Sequence, residues 1–206
     1  MSYLNHYAEQ LDDLRKLGNL RQFKANIQQG RNIQIGDHSM LNLSSNDYLG
    51  IASDLQFREA FFDLTANSER RMTSSSSRLL TGNFPEYEQL EQHLSQAFLG
   101  RSALLFNSGY HMNIGILPAL CDSRTLILAD KLIHASMIDG IRLSTAKYLR
   151  YRHNDLAHLQ QMLETYADDE DYDRIIVVTE SIFSMDGNET DLAELVRVKK
   201  KKKKVM

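Results

Sequence analysis

"RTLILADKLIHASMIDGIRLSTAKYLRYR", residues 124–152, decides the fold of this chain. The run "RTLILAD" is short, apolar and bounded by charge, the pattern of a strand buried on both faces. "HASMIDGIRLS" then returns to helical period, and "AKYLRYR" is again short and strand-like. The alternation continues through "DLAHLQQMLETYA" (155–167, helix), "DRIIVVTES" (173–181, strand) and "DLAELVRVKKK" (191–201, helix). Upstream, "SALLFNSGY" (102–110) predicts a further strand, and "HMNIGILPALCD" (111–122) a helix interrupted by Pro118. Strands alternating with helices of this length predict an α/β fold with a mostly parallel, doubly wound sheet.

The first part of the chain has a different character. "YLNHYAEQLDDLRKLGNLRQF" (3–23) sets Leu4, Tyr7, Leu11, Leu14 and Leu17 at helical spacing. "RNIQIGDHSMLNLSSNDYLG" (31–50) alternates around Gly36-Asp37 and predicts a hairpin. "DLQFREAFFDLTANSER" (54–70) is helical in period, and "TSSSSRLLTGNF" (73–84) is a polar loop ending near Arg78, a possible anion contact. "PEYEQLEQHLSQAFLG" (85–100) predicts a helix opened by proline and closed by glycine.

Composition sets outer bounds. The 206 residues, 42% hydrophobic and 25% charged, suit a globular chain of one large domain, with or without a small appendage. The single cysteine, Cys121, excludes an internal disulfide framework and fits a reducing cytoplasm as a buried apolar residue. The start has no signal-peptide pattern and no apolar run is long enough for a membrane span. The net charge of −3 hides an asymmetry, because six of the 24 basic residues form the run Lys199–Lys204. Without that run, 27 acidic residues dominate, which argues against a nucleic-acid partner. The seven histidines show no metal-ligand spacing.

In a doubly wound sheet, ligands sit where strand carboxyl ends lead into helices. Three such ends carry polar groups. Ser108, Gly109 and Tyr110 follow "ALLF" at a helix start, where free backbone N–H groups and the helix dipole favour a phosphate. His134 follows "LILAD" at the next helix entrance, as a cap or as a ring able to stack on a flat ligand. Glu180 and Ser184 follow "IIVVT", with Asp186-Gly187 as a turn.

The stretches "LNLSSNDYLG", "SRLLTGN", "LLFNSGYHMN", "DKLIHASMIDGIRLS", "RYRHND" and "VVTESIFSMDG" resemble the α-oxoamine synthase family in residues and order. The resemblance implies the large domain of a fold-type I transferase dependent on pyridoxal phosphate, here partial and preceded by an N-terminal helix and hairpin. It implies segments at 1–45, 46–198 and the lysine-rich 199–206. It also implies condensation of an amino acid with an acyl thioester, losing carbon dioxide, in a homodimer whose site lies at the subunit boundary. "SSNDYLG", "SRLLTGN" and "NSGY" are most similar to the branch joining L-alanine to pimeloyl-CoA or a pimeloyl carrier protein for biotin. "HASMIDGIRLS" is also similar to the glycine C-acetyltransferase branch, and a 5-aminolevulinate synthase-like member is a further alternative.

By matching motif, the resemblance assigns Ser108, Gly109 and Tyr110 to the cofactor phosphate end and His134 to the pyridine ring. It assigns Ser184 to the ring's phenolic oxygen, Asn46 to the substrate carboxylate and Arg21 to the acyl substrate. The family also uses a lysine that tethers the cofactor and an aspartate at the ring nitrogen, both following the helix that here ends in lysines. Neither motif occurs in the chain. The expectation is therefore a polypeptide cut short in its lysine tract, inactive alone, with an unpaired sheet edge along "RIIVVTES". A non-catalytic α/β module with a polyanion-binding basic tail is the reading of another class.

Overall fold

The computed structural model describes residues 3–64, 73–200 and 204–206. The chain divides into two compact units, residues 1–75 and 76–206.

The first unit opens with helix α1 (Tyr3–Lys16), whose apolar stripe includes Tyr7, Leu11 and Leu14. Its end is set by Gly18 at φ 69°: Gly18 N–H donates to the Arg15 carbonyl and Asn19 N–H to the Leu14 carbonyl, satisfying two otherwise unpaired carbonyls. The expected hairpin is part of a three-stranded antiparallel meander, β1 (Ile27–Gln29), β2 (Asn32–Ile35) and β3 (His38–Leu41), in that spatial order. Gly36, at φ 58°, gives the β2–β3 turn its left-handed backbone. Helix α2 (Leu55–Leu64) is capped by Asp54, whose carboxylate accepts the Phe57 N–H at 2.8 Å. The remainder of that predicted helix, 65–70, lies outside the described residues.

The second unit contains the parallel sheet. Helices α3 (Pro85–Ala97) and α4 (Gly109–Leu120) lead into β4 (Thr125–Asp130), α5 (Ala135–Leu143), β5 (Lys147–Tyr151), α6 (Leu156–Tyr166), β6 (Arg174–Val178) and α7 (Leu192–Lys200). The strand order is β5-β4-β6, all parallel, with Leu128 opposite Leu149 and Val177. Every residue of central β4 is buried, which is why its sequence is apolar without alternation. On one face Ile127, Ala129, Ile176 and Val178 pack with Leu117 of α4 and Ile141 of α5. On the other, Leu126, Leu128 and Ile175 pack with Leu159 and Leu163 of α6 and Val198 of α7. Each fully buried Leu or Ile contributes about 1.5–3 kcal/mol relative to exposure. The α/β, doubly wound expectation is met.

Three expectations need correction. Residues 102–106 form no strand. Leu104 is 68% exposed, and no described strand pairs with the segment to satisfy its backbone. Pro118 does not interrupt α4, because it sits in the last turn and removes only one hydrogen bond near the helix end. The outer edge of β6 is not bare. Ile175 N–H donates to the Lys204 carbonyl at 2.8 Å, Met206 N–H to the Ile175 carbonyl at 2.9 Å and Val177 N–H to the Met206 carbonyl at 3.2 Å. Val205 is buried there against the α6–α7 core. No helix among the described residues is long and apolar enough to cross a membrane.

Candidate active site

At the first helix entrance, Ser108 is the cap of α4: its Oγ accepts the His111 N–H at 3.2 Å. The N–H groups of Gly109 and Tyr110 belong to the first turn, where the α-helix supplies no acceptors, so they can serve an anion. A side chain built on Gly109 would meet nothing within 4 Å, so the backbone is approachable. Tyr110 Oη donates to Asp139 Oδ2 of α5 at 3.2 Å, and the nearby carboxylate raises the phenol pKa. That bond orients the Tyr110 ring from its far end.

His134 caps α5. Its Nδ1 accepts the Ser136 N–H at 3.1 Å, while the His134 backbone N–H donates to Glu180 Oε1 at 2.6 Å. The capping alternative is therefore met, and the His134 side chain that makes the cap is exposed. Glu180 lies just beyond β6, so the second and third strand ends are joined directly.

The loop carrying Ser184 is built. Phe183 is 2% exposed, Gly187 N–H donates to the Phe183 carbonyl, and Thr190 Oγ1 donates to the Glu180 carbonyl at 2.7 Å. Gly187 has φ 68°, the left-handed backbone that the Asp-Gly turn predicted. Ser184 itself is exposed on this loop. Beneath it, fully buried Asp130 accepts from Leu132 N–H at 2.8 Å and Asn154 N–H at 2.7 Å, and pairs with His153 Nδ1 at 2.9 Å. His153 meets the Phe183 ring edge-on at 4.5 Å, and its Nε2 lies 3.2 Å from Asn188 Nδ2. One carboxylate therefore binds the loops after β4 and β5 directly and reaches the loop after β6 through His153. Sequence reasoning missed Asp130 as an organiser. The signal was an aspartate closing an otherwise apolar strand, with "HND" closing the next.

Other predicted residues fall as follows. Arg78 is not an anion contact. Its guanidinium makes paired bonds to Glu91 at 2.7 and 3.0 Å, donates to Asn83 and lies 4.5 Å from the Tyr87 ring. Glu91 also accepts the Leu105 N–H, and these bonds, chiefly the Arg78 one, pull its carboxyl down to about 2. Asn46 and Arg21 belong to the first unit. Asn46 accepts at 3.4 Å from Tyr48 Oη, and Arg21 is exposed in the irregular segment between α1 and β1. The structure links Tyr110 to α5 and His134 to Glu180. It gives Ser184 no contact with them.

The chain is similar in sequence and in fold to several known proteins. A protein from Pasteurella multocida, provisionally named 8-amino-7-oxononanoate synthase, is 55% identical over 203 residues, covering 98% of this chain and 52% of its own. A Haemophilus influenzae protein with the same provisional name is 52% identical over 197 residues, covering 96% and 51%. The chain thus spans about half the length of the curated relatives it matches. Among solved structures, a serine palmitoyltransferase from S. paucimobilis, bound to pyridoxal phosphate and myriocin, shares the fold. Its TM-score is 0.82 at 24% identity, over 100% of this chain and 52% of that one. An 8-amino-7-oxononanoate synthase from Francisella tularensis gives a TM-score of 0.56 at 30% identity, over 75% and 41%. The aminotransferase class I and II family matches residues 38–206, all of the parallel-sheet unit and the second half of the unit before it, and the chain belongs to that family.

Proposed function

We propose that this chain forms one wall of a pyridoxal phosphate site in an 8-amino-7-oxononanoate synthase. The reaction joins L-alanine to pimeloyl-CoA or its carrier-protein equivalent, giving 8-amino-7-oxononanoate, carbon dioxide and the free thiol carrier. The observation that carries this reading is a set of linked helix and strand ends: the open α4 N-terminus joined to α5 through Tyr110 and Asp139, the histidine capping α5, and the Glu180 carboxylate that ties that cap to the loop after β6. The relatives' shared name supports the choice of acyl substrate over acetyl or succinyl alternatives.

The residues present fit the cofactor. Gly109 and Tyr110 offer N–H groups to its phosphate, with Ser108 shaping the turn. His134 would stack on the pyridine ring, and Ser184, whose side chain is exposed, would hydrogen-bond its phenolic oxygen. When bound, pyridoxal phosphate supplies an electron sink for the carbanion formed on the amino acid. Asn46 is proposed for the amino-acid carboxylate and Arg21 for the acyl chain's acidic end. Lys147 is badly placed to tether the cofactor: it opens β5, opposite Leu126 at the amino end of the sheet, near the Tyr172 ring. Lys131 directly follows β4 at the carboxyl end and is the lysine to test. We propose that these 206 residues hold the cofactor without a covalent bond and do not catalyse condensation alone. A homodimer in a reducing cytoplasm is the proposed setting.

Borohydride reduction of the chain after incubation with pyridoxal phosphate, followed by peptide mass mapping, tests this. The expected result is scattered surface labelling and no release of CoA from pimeloyl-CoA in the presence of L-alanine. A single modified lysine, Lys131 included, would overturn the noncovalent assignment.

A further inference from the structure

Beneath His134 lies a relay that the proposed roles do not use. Ser136, 2% exposed, donates its backbone N–H to His134 Nδ1 at 3.1 Å, and its Oγ lies 2.7 Å from the same nitrogen. From α4, Asn113 Nδ2 donates to Ser136 Oγ at 2.8 Å. A backbone N–H can only donate, so Nδ1 must present its lone pair. A serine hydroxyl has one hydrogen and two lone pairs. With Asn113 occupying a lone pair, that hydrogen points to Nδ1 as a second donor. The imidazole proton therefore resides on Nε2.

The spacing of the relay is fixed by backbone. A Cβ added at Gly140 would stand 2.3 Å from the Asn113 carbonyl oxygen, so α4 and α5 cross here in near contact. Only a glycine permits that approach, and it brings the Asn113 amide within reach of a serine near the start of α5. Asn113 also sits one turn after Gly109 on the same helical face, so one helix carries both the open N-terminus and the brace.

We infer that Asn113 and Ser136 are positioning residues that lock His134 as the Nε2–H tautomer with a fixed ring plane. The ring is then presented with an acceptor-free outer edge, a hydrogen-bond donor to whatever lies in the site. Two bonds to Nδ1 oppose rotation about the Cβ–Cγ bond, since turning the ring would set a carbon against both donors. The tautomer follows from these bonds alone. Its purpose, keeping a flat ring parallel to a bound pyridine, rests on the proposed function.

The test uses the full chain labelled with nitrogen-15 and a two-bond proton–nitrogen correlation spectrum of the imidazoles, with His134 assigned by its loss in His134→Gln. The expected spectrum shows one tautomer with the proton on Nε2. In Ser136→Ala and Asn113→Leu, where the backbone N–H is left as the one unbraced donor to Nδ1, the His134 nitrogens should move part of the way toward the exchange-averaged values of a free imidazole, and Ser136→Thr should restore them. Pyridoxal phosphate affinity, read by absorbance titration, should fall several-fold in Ser136→Ala and largely recover in Ser136→Thr. An Nδ1–H tautomer in the parent chain, or His134 signals unmoved in both variants, would overturn the inference. A locked tautomer in a chain that binds no pyridoxal phosphate would uphold the lock and overturn the proposed function.

Discussion

Asp130 has no exposed surface, yet it carries a carboxylate at the crossing point of three loops. Replacing it by asparagine would set an amide donor against at least one of the donors it now satisfies. We expect Asp130→Asn to cost about 2–3 kcal/mol, the range for losing charged hydrogen bonds, as read by urea denaturation. Gly140→Ala tests the α4–α5 crossing. Its methyl meets backbone rather than a movable side chain, so about 1–3 kcal/mol of overpacking is expected. The Arg78–Glu91 pair sets a pH dependence. Glu91 titrates at about 2 when folded, well below an ordinary glutamate near 4.3, so its contribution is present above that ordinary value. It is lost as pH falls through about 2, and Glu91→Gln should flatten the stability curve in that window. At this scale the sequence was partly legible. Ser108 and His134 could be placed at helix entrances, because caps have a local signature. Asp130, Ser136 and Asn113 could not be paired with their partners, because His153 lies 23 positions from Asp130 and Asn113 lies 23 from Ser136.

Among elements, β4, β5, β6 and the helices between them were readable from period and length, most plainly at β4, where burial on two faces leaves little choice of residue. The "ALLF" segment misled for a reason that belongs to sheets. An apolar run becomes a strand only when a neighbour accepts its hydrogen bonds, and propensity carries no information about that neighbour. The reverse holds at β6. Lys204–Met206 are too few and too polar in context to suggest sheet pairing, yet their backbone completes the edge of β6. Amide exchange measures this directly. Ile175 and Val177 should exchange slowly in the intact chain, and Val205→Asp, which puts a charge into the α6–α7 core, should accelerate both by opening the edge. Unchanged protection at Ile175 and Val177 in that variant would show that the edge does not depend on Val205.

For the whole molecule, fold class followed from strand–helix alternation, and the family from motifs, three of which fall at the carboxyl ends of β4, β5 and β6. The basic run at 199–204 is absorbed in part by structure: α7 extends to Lys200, and Lys204 reaches the Asp169 carbonyl at 3.2 Å. In the proposed function the carboxyl end of the β5-β4-β6 sheet serves as a coenzyme wall. Titrating pyridoxal phosphate into the nitrogen-15-labelled chain, while following each backbone amide, tests that claim most directly. Saturable shifts confined to Gly109, Tyr110, His134 and the loop around Ser184 are predicted. Shifts that never saturate, or that centre on the lysine run while those four positions stay still, would contradict it.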